Sequence, residues 1–307
     1  MSVPFAYLGV ILIWSTTPLA IQWSAQGASF SFAVMARMLI GLVICLLLLR
    51  ATRTEFPFTP AARRLYAISG LSMFVAMLLT YWGALHIPSG LISVIFGLLP
   101  LVTGLFSSLW LSERTLTPTR ISGLGIALVG LWTIFGQPWP GDGRATLGTL
   151  AVVAGMMAQA LGLVWMKQLN LRASPLAITT GSLGVAVPCF VLAWAVADSA
   201  RLPPDTTLRA AAAIVYLGVL GSVVGFTLYY YVIKHLDTGR VALITLITPV
   251  TALLLGQTLN SEFIPARGWT GIALIGTGLL LYEWQALRAL QPARAPADKI
   301  LPSDSVD

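Results

Sequence analysis

The sequence predicts an all-α membrane protein, with ten transmembrane helices in two inverted five-helix repeats and both termini in the cytoplasm. Three observations support this fold class: few charged residues, ten long apolar segments, and a sequence repeat between the two halves. Of the 307 residues, 57% are hydrophobic and only 9% are charged, whereas a soluble domain carries about 25% charged residues. A water-soluble protein is therefore excluded.

The formal net charge of +7 comes from basic residues that are scattered singly between apolar runs. A nucleic-acid-binding surface needs clustered basic residues, so no nucleic-acid partner is expected. The basic residues are interpreted instead as signals of membrane topology.

Ten segments meet the requirement of about 20 mostly apolar residues for a transmembrane helix. Five lie in a first repeat, residues 1–140, and five in a second repeat, residues 145–287. Residues 288–307 are polar and proline-rich, which predicts a disordered cytoplasmic tail. The predicted helices 1 to 10 are 4–23, 30–50, 65–87, 90–111, 118–136, 147–166, 174–197, 208–233, 239–259 and 267–287.

The distribution of lysine and arginine predicts the orientation. With the N-terminus inside, 13 basic residues fall on the cytoplasmic side and 4 on the outer side, and Arg37 lies within predicted helix 2. Cytoplasmic loops of membrane proteins carry an excess of basic residues. Both termini are therefore expected in the cytoplasm.

Residues 86–113 align with residues 235–262 without a gap, at an offset of 149 positions, with seven identities in 28 positions. Each half contains five helices, an odd number, so the second half must enter the membrane from the opposite side. Inverted repeats favour alternating access, with a small-molecule substrate held near the midplane between the halves. The identical pairs are His86 and His235, Gly90 and Gly239, Ile95 and Ile244, Pro100 and Pro249, Leu105 and Leu254, Ser112 and Ser261, and Glu113 and Glu262.

Several motifs resemble the drug/metabolite transporter superfamily, in its EamA type, over residues from about 4 to 287. They are Trp14, ARMLIGL (36–42), GLLPLVTGLFSSLWLSER (97–114), LITPVTALLLGQTLNSE (246–262) and GIALIGTG (271–278). The resemblance implies a basket-like bundle with a central cavity, lined mainly by helices 1, 3, 4, 6, 8 and 9. It also implies export of small metabolites, and within the superfamily the sequence is similar to bacterial exporters of aromatic amino acids.

Residues of three kinds are candidates for the wall of this cavity. A charge such as Arg37 inside a membrane helix marks a pathway, an ion pair or a side chain that reaches the interface. Aromatic side chains can stack on a ring and donate a hydrogen bond, and hydroxyl groups near a proline can serve a freed carbonyl or a ligand. The candidates are Trp14, Thr17, Arg37, Tyr81, His86, Ser93, Phe96, Gln159, Trp165, Tyr230, Thr245 and Thr248.

Three prolines inside predicted helices are candidate kinks or hinges: Pro18, Pro100 and Pro249. A proline removes a backbone donor and clashes with the preceding turn. Because Pro100 and Pro249 are matched in the repeat, we expect both to bend helices that face the cavity.

The predicted function is export of small metabolites, most readily aromatic or other hydrophobic amino acids, from a multi-pass position in a bacterial inner membrane. No acidic residue lies deep in a predicted helix, so transport without a buried-carboxylate proton relay is expected. The alternative is a multidrug or organic cation exporter. An enzyme is not expected, since no HExxH, GxSxG or GxxxxGK[ST] motif occurs, and a receptor has no evident use for inverted halves. The expected partners are substrate and membrane lipid, with a monomeric chain and neither cofactor nor metal.

Overall fold

The computed structural model describes residues 2–111, 117–135, 143–169, 173–236 and 238–288, and these residues form helices and connecting turns without a strand. The first half contains α1 (Val3–Gly27), α2 (Phe30–Ala51), α3 (Pro60–Gly83), α4 (Ser89–Gly97), α5 (Leu99–Trp110) and α6 (Pro118–Phe135). The second half contains α7 (Arg144–Gln168), α8 (Pro175–Ala197), α9 (Leu208–Tyr216), a π-helical segment (Leu217–Val224), α10 (Gly225–His235), α11 (Thr238–Asn260), α12 (Ala266–Tyr282) and α13 (Trp284–Arg288).

Each of the ten predicted segments lies on one or more of these helices. Within the described residues, eight spans are long and apolar enough to cross a membrane, and Pro118–Ile134 is a shorter apolar helix. Two predicted helices are interrupted: helix 4 is divided into α4 and α5, and helix 8 contains the π-helical segment between α9 and α10.

Several helices begin at an N-cap hydroxyl. The side chains of Ser29, Thr59, Ser174 and Thr207 each accept a hydrogen bond from the backbone N–H three residues on, at 3.1 to 3.2 Å. Such caps satisfy a donor that the first helical turn leaves free. They also explain why α3 begins at Pro60, five residues before the predicted start at residue 65: Thr59 caps the helix and proline is well tolerated in its first turn.

The interruption of predicted helix 4 lies next to Pro100. Leu98 separates α4 from α5, and its N–H donates to the Ile95 carbonyl at 3.0 Å, a tighter bond than the α-helical pattern. Pro100 then occupies the first turn of α5, where its missing donor costs little. By contrast, α1 and α11 continue through Pro18 and Pro249.

The helices pack in pairs that connect the two halves of the chain. α2 packs on α8, α4 on α11, and α6 on α12. α3 packs on α7 and α8, while α1 packs on α9, α10 and α11. The largest buried cluster joins residues from both halves, including Tyr81, Leu91, Ile95 and Phe190.

The α6–α12 contact is a close antiparallel crossing at glycine. A Cβ atom on Gly123 would lie 2.5 Å from the Gly278 carbonyl oxygen, and one on Gly130 would lie 2.6 Å from the Gly271 carbonyl oxygen. Small residues let membrane helices approach until their backbones touch. The contacting residue changes from Gly123 to Gly130 along α6 and from Gly278 to Gly271 along α12. The two helices therefore run in opposite directions.

The α3–α7 contact also depends on glycine. Gly148, Gly155 and Gly162 recur every seven residues on α7, so they share one face of that helix. A Cβ atom on Gly155 would lie 2.8 Å from the Ala76 carbonyl oxygen, and one on Gly162 would overlap Ser72. This face of α7 therefore lies directly on the backbone of α3.

Candidate substrate site

Arg37 is the centre of a polar cluster in the interior of the bundle. It lies in α2 and only 6% of its surface is exposed. Its Nε donates to Ser222 Oγ at 3.4 Å and its Nη1 donates to the Tyr81 hydroxyl at 3.4 Å. Tyr81 itself is fully buried, so the cluster joins α2, α3 and the π-helical segment.

The π-helical segment turns Ser222 towards Arg37. The Ser222 hydroxyl donates to the Leu217 carbonyl five residues earlier at 3.0 Å, and the Gly225 N–H likewise donates to the Leu220 carbonyl. The backbone bond from Gly225 to Leu220 spans five residues, which is the π-helical pattern, and π-helical turns are frequent at functional sites. On the same segment a Cβ atom at Gly218 would lie 3.2 Å from the Arg37 carbonyl oxygen, so glycine lets α2 approach.

A small space lies between α1, α2 and the π-helical segment. A Cβ atom placed on Gly221 would lie 3.7 Å from Arg37 Nη2 and 3.8 Å from Thr17 Oγ1. The guanidinium group and the Thr17 hydroxyl therefore line the same small space, which the missing Cβ of Gly221 leaves with room for about one methyl group. Thr17 also donates to the Ile13 carbonyl at 2.7 Å, which fixes the position of its side chain.

An aromatic pair lies next to this space. The rings of Trp14 and Tyr229 have centroids 4.6 Å apart and an interplanar angle of 44°. Trp14 and Thr17 are three residues apart on α1, so both face the same side of that helix. A Cβ atom on Gly225 would lie 3.5 Å from Trp14 Nε1, so the aromatic pair and the polar cluster meet along the contact of α1 with predicted helix 8.

A second group of candidate residues lies where α4 packs on α11. Ser93 and Thr248 are buried, whereas Phe96 and Thr245 are partly buried. The two helices come close at Pro249, since a Cβ atom on Gly97 would lie 3.3 Å from Pro249 Cγ.

The remaining candidates lie apart from these groups. The His86 ring lies beyond the end of α3 and makes an edge contact with Trp82, with centroids 4.8 Å apart. On α7, Gln159 is partly buried and Trp165 is 41% exposed. The side chain of Tyr230 lies outside the described part of the structure.

A polar network at one end of the bundle was absent from the sequence-based site. Asn260 Nδ2 donates to Gln22 Oε1 at 2.9 Å and to Glu262 Oε1 at 3.0 Å, and Trp23 Nε1 donates to Asn260 Oδ1 at 3.0 Å. The Gly90 N–H donates to Glu262 Oε2 at 3.4 Å, which places a carboxylate at the N-terminus of α4, where the helix dipole favours negative charge.

Arg209 completes this network at the start of α9. Its guanidinium carbon lies 3.7 Å from the Trp23 ring centroid, and its Nη2 donates to the Leu259 carbonyl at 3.5 Å. A cation near the C-terminus of α11 complements the helix dipole. The network therefore ties α1, α4, α9 and α11 together at one end.

An open groove of about 600 Å³ lies on the outer surface of the bundle, away from the Arg37 cluster. Its wall is apolar, and Val196 on that wall is 84% exposed, so the groove faces the surroundings of the bundle. It is lined by residues of α2, α3 and α8, among them Phe30, Phe74, Trp82, Cys189 and Leu192.

Comparison with known proteins gives a consistent family. The EamA-like transporter family matches residues 1–136 and 146–284. The chain is similar to the uncharacterized inner membrane transporter YedA of Escherichia coli (strain K12), at 23% identity over 287 residues that cover 90% of this chain and 89% of the relative. It is also similar to a probable terminal-alkyne amino-acid exporter of Streptantibioticus cattleyicolor, at 27% identity over 250 residues that cover 77% and 79% of the two chains.

The fold is also found in a solved crystal structure. That structure matches with a TM-score of 0.63 and 21% identity, covering 94% of this chain and 99% of the other. The family matches both halves separately, in agreement with the resemblance inferred from the motifs. The chain belongs to the EamA-like transporter family and is a multi-pass membrane protein.

Proposed function

We propose that this protein exports small metabolites across a bacterial inner membrane by alternating access, with aromatic and other hydrophobic amino acids as its main substrates. Two relatives support the proposal by name: one is called an inner membrane transporter and the other a probable amino-acid exporter. These names favour a transporter over an enzyme or a receptor.

The packing of the helices is the observation that carries the alternating-access part of the proposal. When the two halves are exchanged, α2–α8, α4–α11 and α6–α12 each remain the same pair. Exchange of the halves converts the contact of α3 with α7 into the contacts of α1 with α9 and α10. It converts the contact of α3 with α8 into the contact of α2 with the π-helical segment. This exchange is what an inverted repeat requires, and it supports ten transmembrane helices in two units, 1–140 and 145–287.

In the proposed transporter both termini lie in the cytoplasm and the substrate binds between the halves near the midplane. In this proposal the cavity is lined by the candidate residues of α1, α2, α3, α4 and α11, with Pro18, Pro100 and Pro249 as hinges. The protein works as a monomer in contact with lipid.

Transport in this proposal follows the gradient of the substrate. Five carboxylates occur in the described residues, and all lie between helices rather than within a membrane-spanning helix: Glu55, Asp198, Asp205, Glu262 and Glu283. Proton-coupled transporters usually carry a titratable group inside the membrane.

Export of organic cations is the second candidate function. Cation transport calls for a buried carboxylate at the site, whereas the ionisable group at the centre of this cluster is the buried Arg37. The positive charge favours substrates with a carboxylate over simple cations.

Counterflow in proteoliposomes tests the proposal. Vesicles with purified protein are loaded with unlabelled phenylalanine, leucine, glutamate or an organic cation, and uptake of each labelled compound is followed. We expect rapid exchange of phenylalanine and leucine and none in protein-free vesicles. Exchange of cations alone would overturn the amino acid assignment, and exchange of nothing by correctly inserted protein would overturn the transporter mechanism.

A further inference from the structure

We propose that Arg37 binds the carboxylate of the substrate, and that the Trp14–Tyr229 pair receives its apolar side chain. The site is thereby assigned to compounds that combine one carboxylate with an aromatic or aliphatic group. This inference rests on the proposed transport function and deepens it by naming the group that each part of the substrate contacts.

Arg37 carries a charge in the interior of the bundle. Buried charges in proteins are normally paired, because an isolated ion in a medium of low dielectric constant is very costly. Arg37 is buried, yet none of the described carboxylates forms an ion pair with it. The missing anion is therefore expected to come from a ligand.

The guanidinium group of Arg37 has unused hydrogen-bonding capacity. An arginine side chain has five N–H donors in a planar fork that suits a carboxylate. In the described structure Arg37 makes two side-chain hydrogen bonds, both 3.4 Å long and both to neutral hydroxyl groups, which is longer than the usual 2.7–3.2 Å range. Its Nη2 has no hydrogen-bond partner among the described residues, so it remains available for a carboxylate oxygen.

A small space lies beside Arg37 Nη2, at Gly221. Nη2 faces Gly221 and the Thr17 hydroxyl, and a single methyl group at Gly221 would still meet only ordinary contact distances of 3.4 to 3.8 Å. A larger side chain there would occupy the position of the carboxylate. The Thr17 hydroxyl faces this position, whereas the hydroxyl groups of Ser222 and Tyr81 accept from Nε and Nη1 of the same guanidinium group.

The Trp14–Tyr229 pair lies about one helical turn away from Thr17 along α1. Trp14 lies three residues before Thr17, which corresponds to about 4.5 Å along the helix axis. An amino acid whose carboxylate lies at Arg37 would therefore place its side chain at the level of Trp14 and Tyr229. Their rings can stack on an aromatic substrate.

Other roles of Arg37 fit the geometry less well. A side chain that extends to the membrane interface would be exposed at its charged end, yet Arg37 is 6% exposed. A side chain that caps a helix would donate to backbone carbonyl groups, yet both of its hydrogen bonds go to side-chain hydroxyls.

The test compares substrates first and variants second. Wild-type protein in proteoliposomes is given phenylalanine, its carboxamide, and 3-phenylpropionate, which keeps the carboxylate and lacks the ammonium group. We expect phenylalanine and 3-phenylpropionate to exchange at least about tenfold better than the amide, as loss of a charged hydrogen bond predicts. Equal exchange of phenylalanine and its amide would overturn the assignment of Arg37, while the transport function would stand.

The variant Arg37→Gln should lower phenylalanine binding about 30-fold and abolish the preference for acid over amide. Arg37→Lys should restore part of that preference. Arg64→Gln is the matched control, since Arg64 is exposed and the same charge is removed. Binding is measured by isothermal titration on protein that elutes as a single species in detergent, so a folding defect is separated from a binding defect.

A pair of glycine variants tests the space itself. Gly221→Leu should block phenylalanine binding, whereas Gly276→Leu should not, because nothing lies within 4 Å of a Cβ atom at Gly276. Wild-type phenylalanine affinity in Arg37→Gln or in Gly221→Leu would overturn the inference. Failure of the wild-type protein to bind or exchange any amino acid would overturn the proposed function and this inference with it.

Discussion

The two halves of the chain are related in sequence, yet they interrupt different helices. In the first half α3 is continuous over Pro60–Gly83, and the next helix is divided into α4 and α5 at Leu98. In the second half the helix matched to α3 carries the π-helical segment, and α11 runs unbroken through Pro249. The difference shows that a matched proline does not by itself decide where a helix is interrupted.

The side chains next to the two matched prolines also differ. The Thr251 hydroxyl donates to the Ile247 carbonyl at 3.0 Å, close to Pro249, and pairs with the Ser15 hydroxyl of α1. The residue at the same place in the first half is Val102, which has no hydroxyl. α11 is thus tied to α1 next to its proline, whereas the α4–α5 junction has no equivalent bond from Val102.

The largest expected effect concerns the glycines of α6 and α12. By the GIALVG and GIALIG repeat, Gly125 matches Gly271 and Gly130 matches Gly276, but of these four glycines only Gly130 and Gly271 touch each other. A Cβ atom on Gly271 would lie 2.6 Å from the Gly130 carbonyl oxygen. Gly271→Ala should therefore destabilise the protein by about 1–3 kcal/mol through overpacking.

Gly276→Ala is the control for that change, because a Cβ atom there meets nothing within 4 Å, and its effect should stay within about 0.5 kcal/mol. Thermal unfolding in detergent measures both. Equal melting temperatures for the two variants would show that α6 and α12 do not cross at these glycines.

The second prediction compares the matched prolines. Pro100→Ala restores a backbone donor next to the α4–α5 junction and should let a continuous helix form, which removes a hinge. Pro249→Ala acts in a helix that is already continuous. Transport per folded molecule should fall on the order of tenfold for Pro100→Ala and less for Pro249→Ala, with little change in the amount of inserted protein.

Counterflow rates and the yield of monodisperse protein measure this pair. A larger loss of transport in Pro249→Ala than in Pro100→Ala would place the working hinge in α11. Loss of inserted protein in parallel with transport would show that the prolines serve folding instead.

The smallest expected effect concerns the bond between α1 and α11. Thr251→Val keeps the shape of the side chain but removes its hydroxyl, and should cost about 1 kcal/mol of stability. Val102→Thr, at the matched position, adds a hydroxyl at a partly buried place and should not stabilise the protein. A melting temperature for Thr251→Val identical to that of the wild type would mean that the bond to Ser15 contributes nothing.

The sequence located the helices well because composition and length alone define a membrane-spanning segment. It also placed Trp14, Thr17, Arg37 and Tyr81 among the candidates, since charged and aromatic residues are conspicuous inside apolar helices. It did not show that these four side chains lie in one region, because their contacts depend on how α1, α2 and α3 pack.

The π-helical segment could not be predicted from residue types. GSVVG (221–225) has the small residues expected of close helix packing, and only the backbone bonds across five residues, such as that from Gly225 to Leu220, reveal the wider turn. The Asn260 network was missed for a similar reason. Gln22 and Glu262 lie 240 positions apart in the chain, and each alone is typical of a helix end.

The three glycines that recur every seven residues on α7 have a mechanical consequence. At Gly148, Gly155 and Gly162 the second half of the molecule packs against the first, and α7 projects no side chain from these positions into the contact. Interlocked side chains must change rotamer before two helices can slide, whereas a glycine face offers few such obstacles. Small sliding of packed helices is one of the two main ways in which domains move. The α3–α7 contact therefore has few interlocked side chains along α7 that would oppose shear.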